Sequence, residues 1–169
     1  VQMRGVNLTI PFKVEGTKLM DRLSPAAEII GAINVVVNEN GELLGENTDG
    51  KGLMQSFHDN GVSVEGKNIF ILGAGGAARA ISVECALAGA KKITIANIVR
   101  EQGEELVELL NTRTPAKAEF VYWDHALEIP ADTDILSNAT SIGLYPHVDQ
   151  KPNINYDTVR ADMVVSDVI

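Results

Sequence analysis

Two rhythms divide the chain. From residue 66 onward, short apolar runs alternate with stretches whose apolar positions recur at helical spacing. Asn68 to Leu72 and Lys92 to Ala96 read as buried strand cores, and Ala118 to Tyr122, Thr133 to Ser137 and Met163 to Ser166 supply further strands. Between them, Ala77 to Ala88 predicts a helix stopped by Gly89. Glu101 to Asn111 predicts another, with Leu106, Leu109 and Leu110 on its inner face. Strands alternating with helices in this way imply a parallel sheet with helices on both faces.

The first part is less regular. Gly5 to Ile10 reads as a strand ended by Pro11, which cannot donate to a ladder. Ser24-Pro25-Ala26-Ala27-Glu28 is a helix start, with Ser24 as N-cap and Pro25 in the first helical position. Ala32 to Asn38 and Glu42 to Gly45 flank Asn40-Gly41, the composition of a tight hairpin turn. Asp49-Gly50 and Gly52 break the pattern before a helix from Leu53 to Asn60, closed by Gly61.

The resulting fold class is α/β: a doubly wound, parallel-sheet, Rossmann-like unit of the nucleotide-binding type, preceded by part of a second α/β unit. The expected boundaries are residues 1–52 for that first part, 53–66 for a linker helix and 67–169 for the doubly wound unit. The chain begins at Val1 and stops in the strand-like run Met163 to Ile169, so an internal piece of a longer protein is expected.

Charge and composition narrow the function classes. A net charge of −9 disfavours non-specific nucleic-acid binding and docking on anionic lipid. The single cysteine, Cys85, excludes an intrachain disulfide and points to a reducing compartment, the cytoplasm. Cys85 falls in an apolar helical stretch and reads as a buried, inert thiol. His58, His125 and His147 share no ligand spacing, so no metal site is expected. Trp123 beside Tyr122 reads as a packing residue at a strand end.

Gly73-Ala74-Gly75-Gly76-Ala77-Ala78 satisfies G-x-G-x-x-A directly between a strand and a helix. Gly73 permits the tight turn, Gly75 lets the backbone approach a pyrophosphate, and Ala78 keeps helix and sheet close. The helix N-terminus offers free N–H groups to phosphate. The end of the next strand selects between NAD and NADP: an acid binds a ribose 2′-hydroxyl, whereas an Arg accommodates a 2′-phosphate. Here it runs Asn97-Ile98-Val99-Arg100-Glu101. Arg100 suits a phosphate or a solvated first helical turn, and the local residues do not decide. Lys13 and Asp49 would share proton transfer if the fold brought them together. Spacing alone does not show that it does.

Five motifs, in order, carry a family resemblance. Gly5 to Lys13 (GVNLTIPFK), Ile30 to Asn34 (IGAIN) and Gly45 to Gly50 (GENTDG) resemble the substrate-domain signatures of the shikimate dehydrogenase family. Leu72 to Arg79 (LGAGGAAR) is similar to its cofactor loop, and Asn138 to Leu144 (NATSIGL) to its late nicotinamide-side motif. The resemblance implies reversible oxidation of shikimate to 3-dehydroshikimate with NADP or NAD. It implies Lys13 and Asp49 as the catalytic pair, and Thr9, Asn34 and Asn47 on the substrate hydroxyls. It places Gly73, Ala74, Gly75, Gly76, Ala77, Asn97, Arg100, Thr140 and Gly143 around the cofactor.

Three departures qualify it. Ile98 and Val99 stand where NADP-using members carry Arg and Thr, so NAD or dual use stays open, as in the quinate/shikimate branch. The family's earlier paired-serine segment, and its later substrate-contacting tyrosine and glutamine, have no counterpart here. An incomplete pocket and weak or absent turnover are therefore expected of the isolated chain. A quinate/shikimate dehydrogenase using NAD, a non-catalytic dinucleotide-binding module, and a related dehydrogenase acting on aminoshikimate or a folate-like carrier are the alternatives. Monomer and homodimer are equally open.

Overall fold

The computed structural model describes residues 3–9 and 11–168. Val1, Ile10 and Ile169, on which the expected first strand and the chain ends partly rest, lie outside the described residues.

The first unit is built on a four-stranded sheet. β1 (Gly5–Asn7) is followed by α1 (Phe12–Glu15), β2 (Arg22–Leu23), α2 (Pro25–Ile30), β3 (Val35–Glu39) and β4 (Glu42–Glu46). The strand order is β1-β3-β4-β2. β3 and β4 form the expected hairpin, with Asn40 and Gly41 at φ 59° and 106°. Positive φ at both central residues matches the twist of the flanking strands, which is why Asn-Gly suits this turn. Ser24 caps α2 by accepting from the Ala27 amide at 3.2 Å. Two short elements, α1 and β2, escape a periodicity reading because neither is long enough to display a period.

α3 (Asp49–Asp59) links the units and starts at Asp49 rather than at Leu53. Gly50 lies inside the helix because α3 crosses α4 closely there. A Cβ on Gly50 would come within 2.4 Å of the Ala80 carbonyl oxygen. The glycine marks a helix–helix approach, not a break.

The second unit follows the expected rhythm: β5 (Asn68–Leu72), α4 (Gly76–Leu87), β6 (Lys92–Asn97), α5 (Arg100–Arg113), β7 (Lys117–Tyr122), β8 (Leu127–Glu128), β9 (Ile135–Asn138), β10 (Ile154–Asn155) and β11 (Val164–Asp167). Five strands form a parallel sheet in the order β11-β9-β5-β6-β7. The chain winds outward from β5 in one direction and then returns to its other side through β9. This doubly wound order leaves a crevice at the carboxyl ends of β5 and β9.

The sheet is buried on both faces, so its strands read as continuous apolar runs. Ile69, Ile71, Ile93 and Ile95 point into a core shared with α3, α4 and α5. Phe70, Leu72 and Leu136 point to the other side, where Trp123, Leu127, Ile129, Ile154 and Met163 cover them. Among the described residues that second face is closed by loops and the short β8–β10 pair, where helices were expected. Cys85 is 1% exposed and burial pushes its thiol up to about 12. The folded protein should therefore resist an aromatic disulfide reagent at pH 8, and one thiol should titrate after denaturation. Rapid labelling of the native chain would contradict this packing.

Candidate active site

The structure brings Lys13 and Asp49 together. Lys13 Nζ donates to Asp49 Oδ2 at 2.7 Å, and their side chains are 30% and 39% exposed. Both are thus held yet open to a ligand. Lys13 sits on α1, whose backbone is tied to the segment just before β3: the Ile33 amide donates to the Lys13 carbonyl at 2.8 Å. Asp49 occupies the first position of α3. Its other oxygen, Oδ1, accepts from Asn34 Nδ2 at 2.7 Å. An ionised carboxylate satisfied on both oxygens has little rotational freedom and orients the ammonium.

The three expected hydroxyl-binding residues differ in role. Thr9 is exposed in the turn before α1, where its carbonyl accepts from the Phe12 amide at 2.8 Å. Asn34 is half-buried and bonds Thr48 as well, through Nδ2 to Oγ1 at 3.0 Å and Oδ1 from the Thr48 amide at 2.9 Å. Asn47 departs from the expectation. It is 2% exposed, and its amide donates to the Ala32 carbonyl at 3.1 Å and accepts from the Asp49 amide at 3.1 Å. Both ends are engaged by the chain itself, so Asn47 positions Asp49 rather than presenting a group to a ligand. Behind it, Glu46 accepts from Ser24 Oγ, the Asn47 amide and Lys51 Nζ at 2.6, 2.8 and 2.8 Å. Burial raises the Glu46 carboxyl, but these three donors together outweigh it and hold the pKa below the usual value. Thr48 and Glu46 carried no independent sequence signal, because their roles arise only when β3 and β4 pair.

The glycine loop lines a cleft of about 570 Å³ at the crevice between β5 and β9. Gly73 adopts φ 103°, and a Cβ there would meet the Ala139 carbonyl oxygen at 2.9 Å. Gly75 and Gly76 face open space instead. α4 begins at Gly76 with no side chain capping its first N–H groups. An uncapped helix start beneath an open glycine loop fits a pyrophosphate. Gly73→Ala should weaken dinucleotide binding at least tenfold, because left-handed φ and the clash act together. Calorimetric titration with NADH measures this, and unchanged affinity would remove Gly73 from the site.

Across the cleft, Asn138 organises the loop after β9. It accepts from Thr140 Oγ1 at 2.7 Å and from the Thr140 amide at 3.2 Å, and it donates to Asp167. Thr140, Ser141 and Ile142 line the opening, with Gly143 next in the loop. Asn97 and Ala77 also line it, but Arg100 does not. Arg100 stacks over Tyr122 at 4.7 Å and pairs with Glu104 at 3.2 Å, which draws it away onto β7. Trp123 is 5% exposed, donates to the Asn153 carbonyl and forms part of the cleft wall. Gln102 and Trp123 line the cleft from outside the glycine motif, so local sequence does not mark them. Among the described residues no group of three His, Cys, Asp or Glu side chains is placed to hold a metal. No helix there is long and apolar enough to cross a membrane.

The family model described as the shikimate dehydrogenase substrate binding domain matches residues 1–36. Shikimate dehydrogenase (NADP(+)) of Alkaliphilus metalliredigens is 38% identical over 172 residues, spanning all of this chain and 60% of the relative. Over its whole length the chain is similar to shikimate dehydrogenases. It spans about 60% of the length of the curated relatives it matches. Among solved structures, shikimate 5-dehydrogenase from Listeria monocytogenes, in complex with shikimate and NAD, superposes with a TM-score of 0.93 at 39% identity. That match covers 99% of this chain and 60% of the other. The ligand-free 5-ketofructose reductase of a Gluconobacter strain gives 0.95 at 43% identity, with the same coverages. These matches run through both units, so the shikimate dehydrogenase likeness and its Rossmann-like fold extend from the Lys13–Asp49 pair to the glycine-loop cleft.

Proposed function

We propose that the chain supplies the catalytic pair and the dinucleotide cleft of a shikimate dehydrogenase acting in aromatic amino-acid biosynthesis in the cytoplasm. The observation that carries this reading is the Lys13–Asp49 contact at 2.7 Å, braced by Asn34 at 2.7 Å. It lies at the start of α3, whose next residue packs on Ala80, one turn beyond the glycine loop. A pure binding module has no use for a charged pair held in this way.

Gly73, Gly75, Gly76 and Thr140 would hold a nicotinamide dinucleotide, which would supply the hydride chemistry. Lys13 would hydrogen-bond the substrate oxygen, take its proton as the alcohol is oxidised, and return it in the reverse direction. Asp49 would keep Lys13 oriented and balance its charge. As the ammonium, Lys13 would also stabilise negative charge developing on that oxygen. Thr9 and Asn34 would meet neighbouring hydroxyls, since both groups donate and accept.

The test follows nicotinamide absorbance with shikimate or quinate paired with NAD+ or NADP+. Turnover of shikimate is expected of the whole protein, with the pocket complete. Silence in every pairing from a protein that still binds a dinucleotide would favour the non-catalytic module. The likeness to 5-ketofructose reductase supports a second reading, reduction of a polyhydroxylated ketone, so 5-ketofructose with NADH or NADPH belongs in the same assay.

A further inference from the structure

The curated relatives carry NADP(+) in their names. The cleft of this chain has a different chemistry at the corresponding edge. We propose that it selects the dinucleotide with a free adenosine ribose, NAD(H), over its 2′-phosphorylated counterpart, with Gln102 facing the ribose hydroxyls. This rests on the dehydrogenase reading of the same site.

In this fold the residues just after the second strand of the parallel sheet meet the adenosine ribose. That strand is β6, and Ile98 and Val99 follow it, 67% and 40% exposed on the cleft wall. Two apolar side chains thus occupy the place where a 2′-phosphate would need donors. Every residue lining the cleft is uncharged. The nearby cations are engaged elsewhere. Arg100 is held over Tyr122 and by Glu104. Arg79 pairs with Glu105 at 2.6 Å. In the adjoining hollow beyond Ile98, Lys151 lies over Tyr156 at 4.8 Å.

A phosphate dianion placed here would lose water and gain no counter-charge, in a protein of net charge −9. The uncapped start of α4 cannot compensate, because the pyrophosphate engages it. A neutral hydroxyl pair makes no such demand. Gln102 lines the same edge from the first turn of α5, and its amide both donates and accepts. Asn97 braces the turn by donating to the Val99 carbonyl at 2.9 Å.

Calorimetric titration of the 169-residue chain with NADH and NADPH tests the proposal directly. NADH should bind at least ~10-fold more tightly, a difference of ~1.4 kcal/mol. Ile98→Arg should tighten NADPH ~10-fold, and the gain should be lost as salt rises. Because Ile98 is exposed, the variant should keep its fold, and Val99→Arg provides an independent second placement. Gln102→Ala should weaken NADH severalfold. Equal or tighter NADPH binding by the unaltered chain would overturn the selectivity. So would a ratio unmoved by both arginine variants, while an unmoved NADH affinity in Gln102→Ala would overturn the Gln102 assignment. If neither nucleotide binds, this proposal and the dehydrogenase reading fall together. NADH-selective binding without turnover of any alcohol by the whole protein removes only the dehydrogenase reading.

Discussion

Lys13→Met should lower kcat for alcohol oxidation about 10³-fold, within the range for losing a positioned general acid–base. NADH affinity should stay within twofold. Methionine keeps the length of the side chain and removes its proton and charge. The substrate oxygen then has no partner for the proton it must give up, and the developing charge goes unmet. Asp49→Asn should also impair turnover, because it leaves the hydrogen bond from Asn34 possible but removes the charge that holds Lys13 at 2.7 Å. Steady-state kinetics at saturating substrate, with NADH titration in parallel, distinguish lost chemistry from lost binding. A Lys13→Met variant with kcat within tenfold of the parent would take Lys13 out of the proton pathway.

The second large effect concerns packing. Gly50→Ala should destabilise the chain by about 3 kcal/mol, the upper end for overpacking a close contact. The added methyl would lie 2.4 Å from the Ala80 carbonyl oxygen and 2.8 Å from Glu84 Cγ. The Glu84 side chain can swing away, but the α4 backbone cannot without lifting α3. At this chain length the loss corresponds to a fall in Tm of roughly 6–12 °C. Because Asp49 is the neighbouring residue on α3, the same shift should reduce kcat even where the variant remains folded. Thermal unfolding followed by circular dichroism, with kinetics measured well below the transition, checks both effects. An unchanged Tm would mean that the helices do not cross at Gly50. Gly52 provides a control, since a Cβ there meets nothing within 4 Å.

The parallel-sheet unit was legible in the sequence because its information is local. β5 runs over the expected Asn68–Leu72, and Ser24 caps α2 as its position before a proline indicates. The Asn40-Gly41 hairpin and the strand–glycine–helix passage at Gly73 follow equally from backbone preferences of single residues. Asn-Gly favours the turn, and an uncapped glycine loop favours a phosphate. The elements that went unseen, α1, β2, β8 and β10, are too short for a hydrophobic period to show.

What only the tertiary structure decided is who meets whom. Lys13 and Asp49 are distant in the chain, and their contact depends on α1 docking on the segment just before β3 at Ile33 while α3 starts earlier than its glycines suggest. The amide chemistry of Asn47 suits a substrate, but burial between Ala32 and Asp49 makes it a brace. Arg100 stands where a phosphate ligand could stand, but the aromatic face of β7 and Glu104 draw it off. Local sequence determines which backbone conformations and charges are available. The long-range packing of α3 on α4 and of β6 beside β7 determines which of those charges face the cleft.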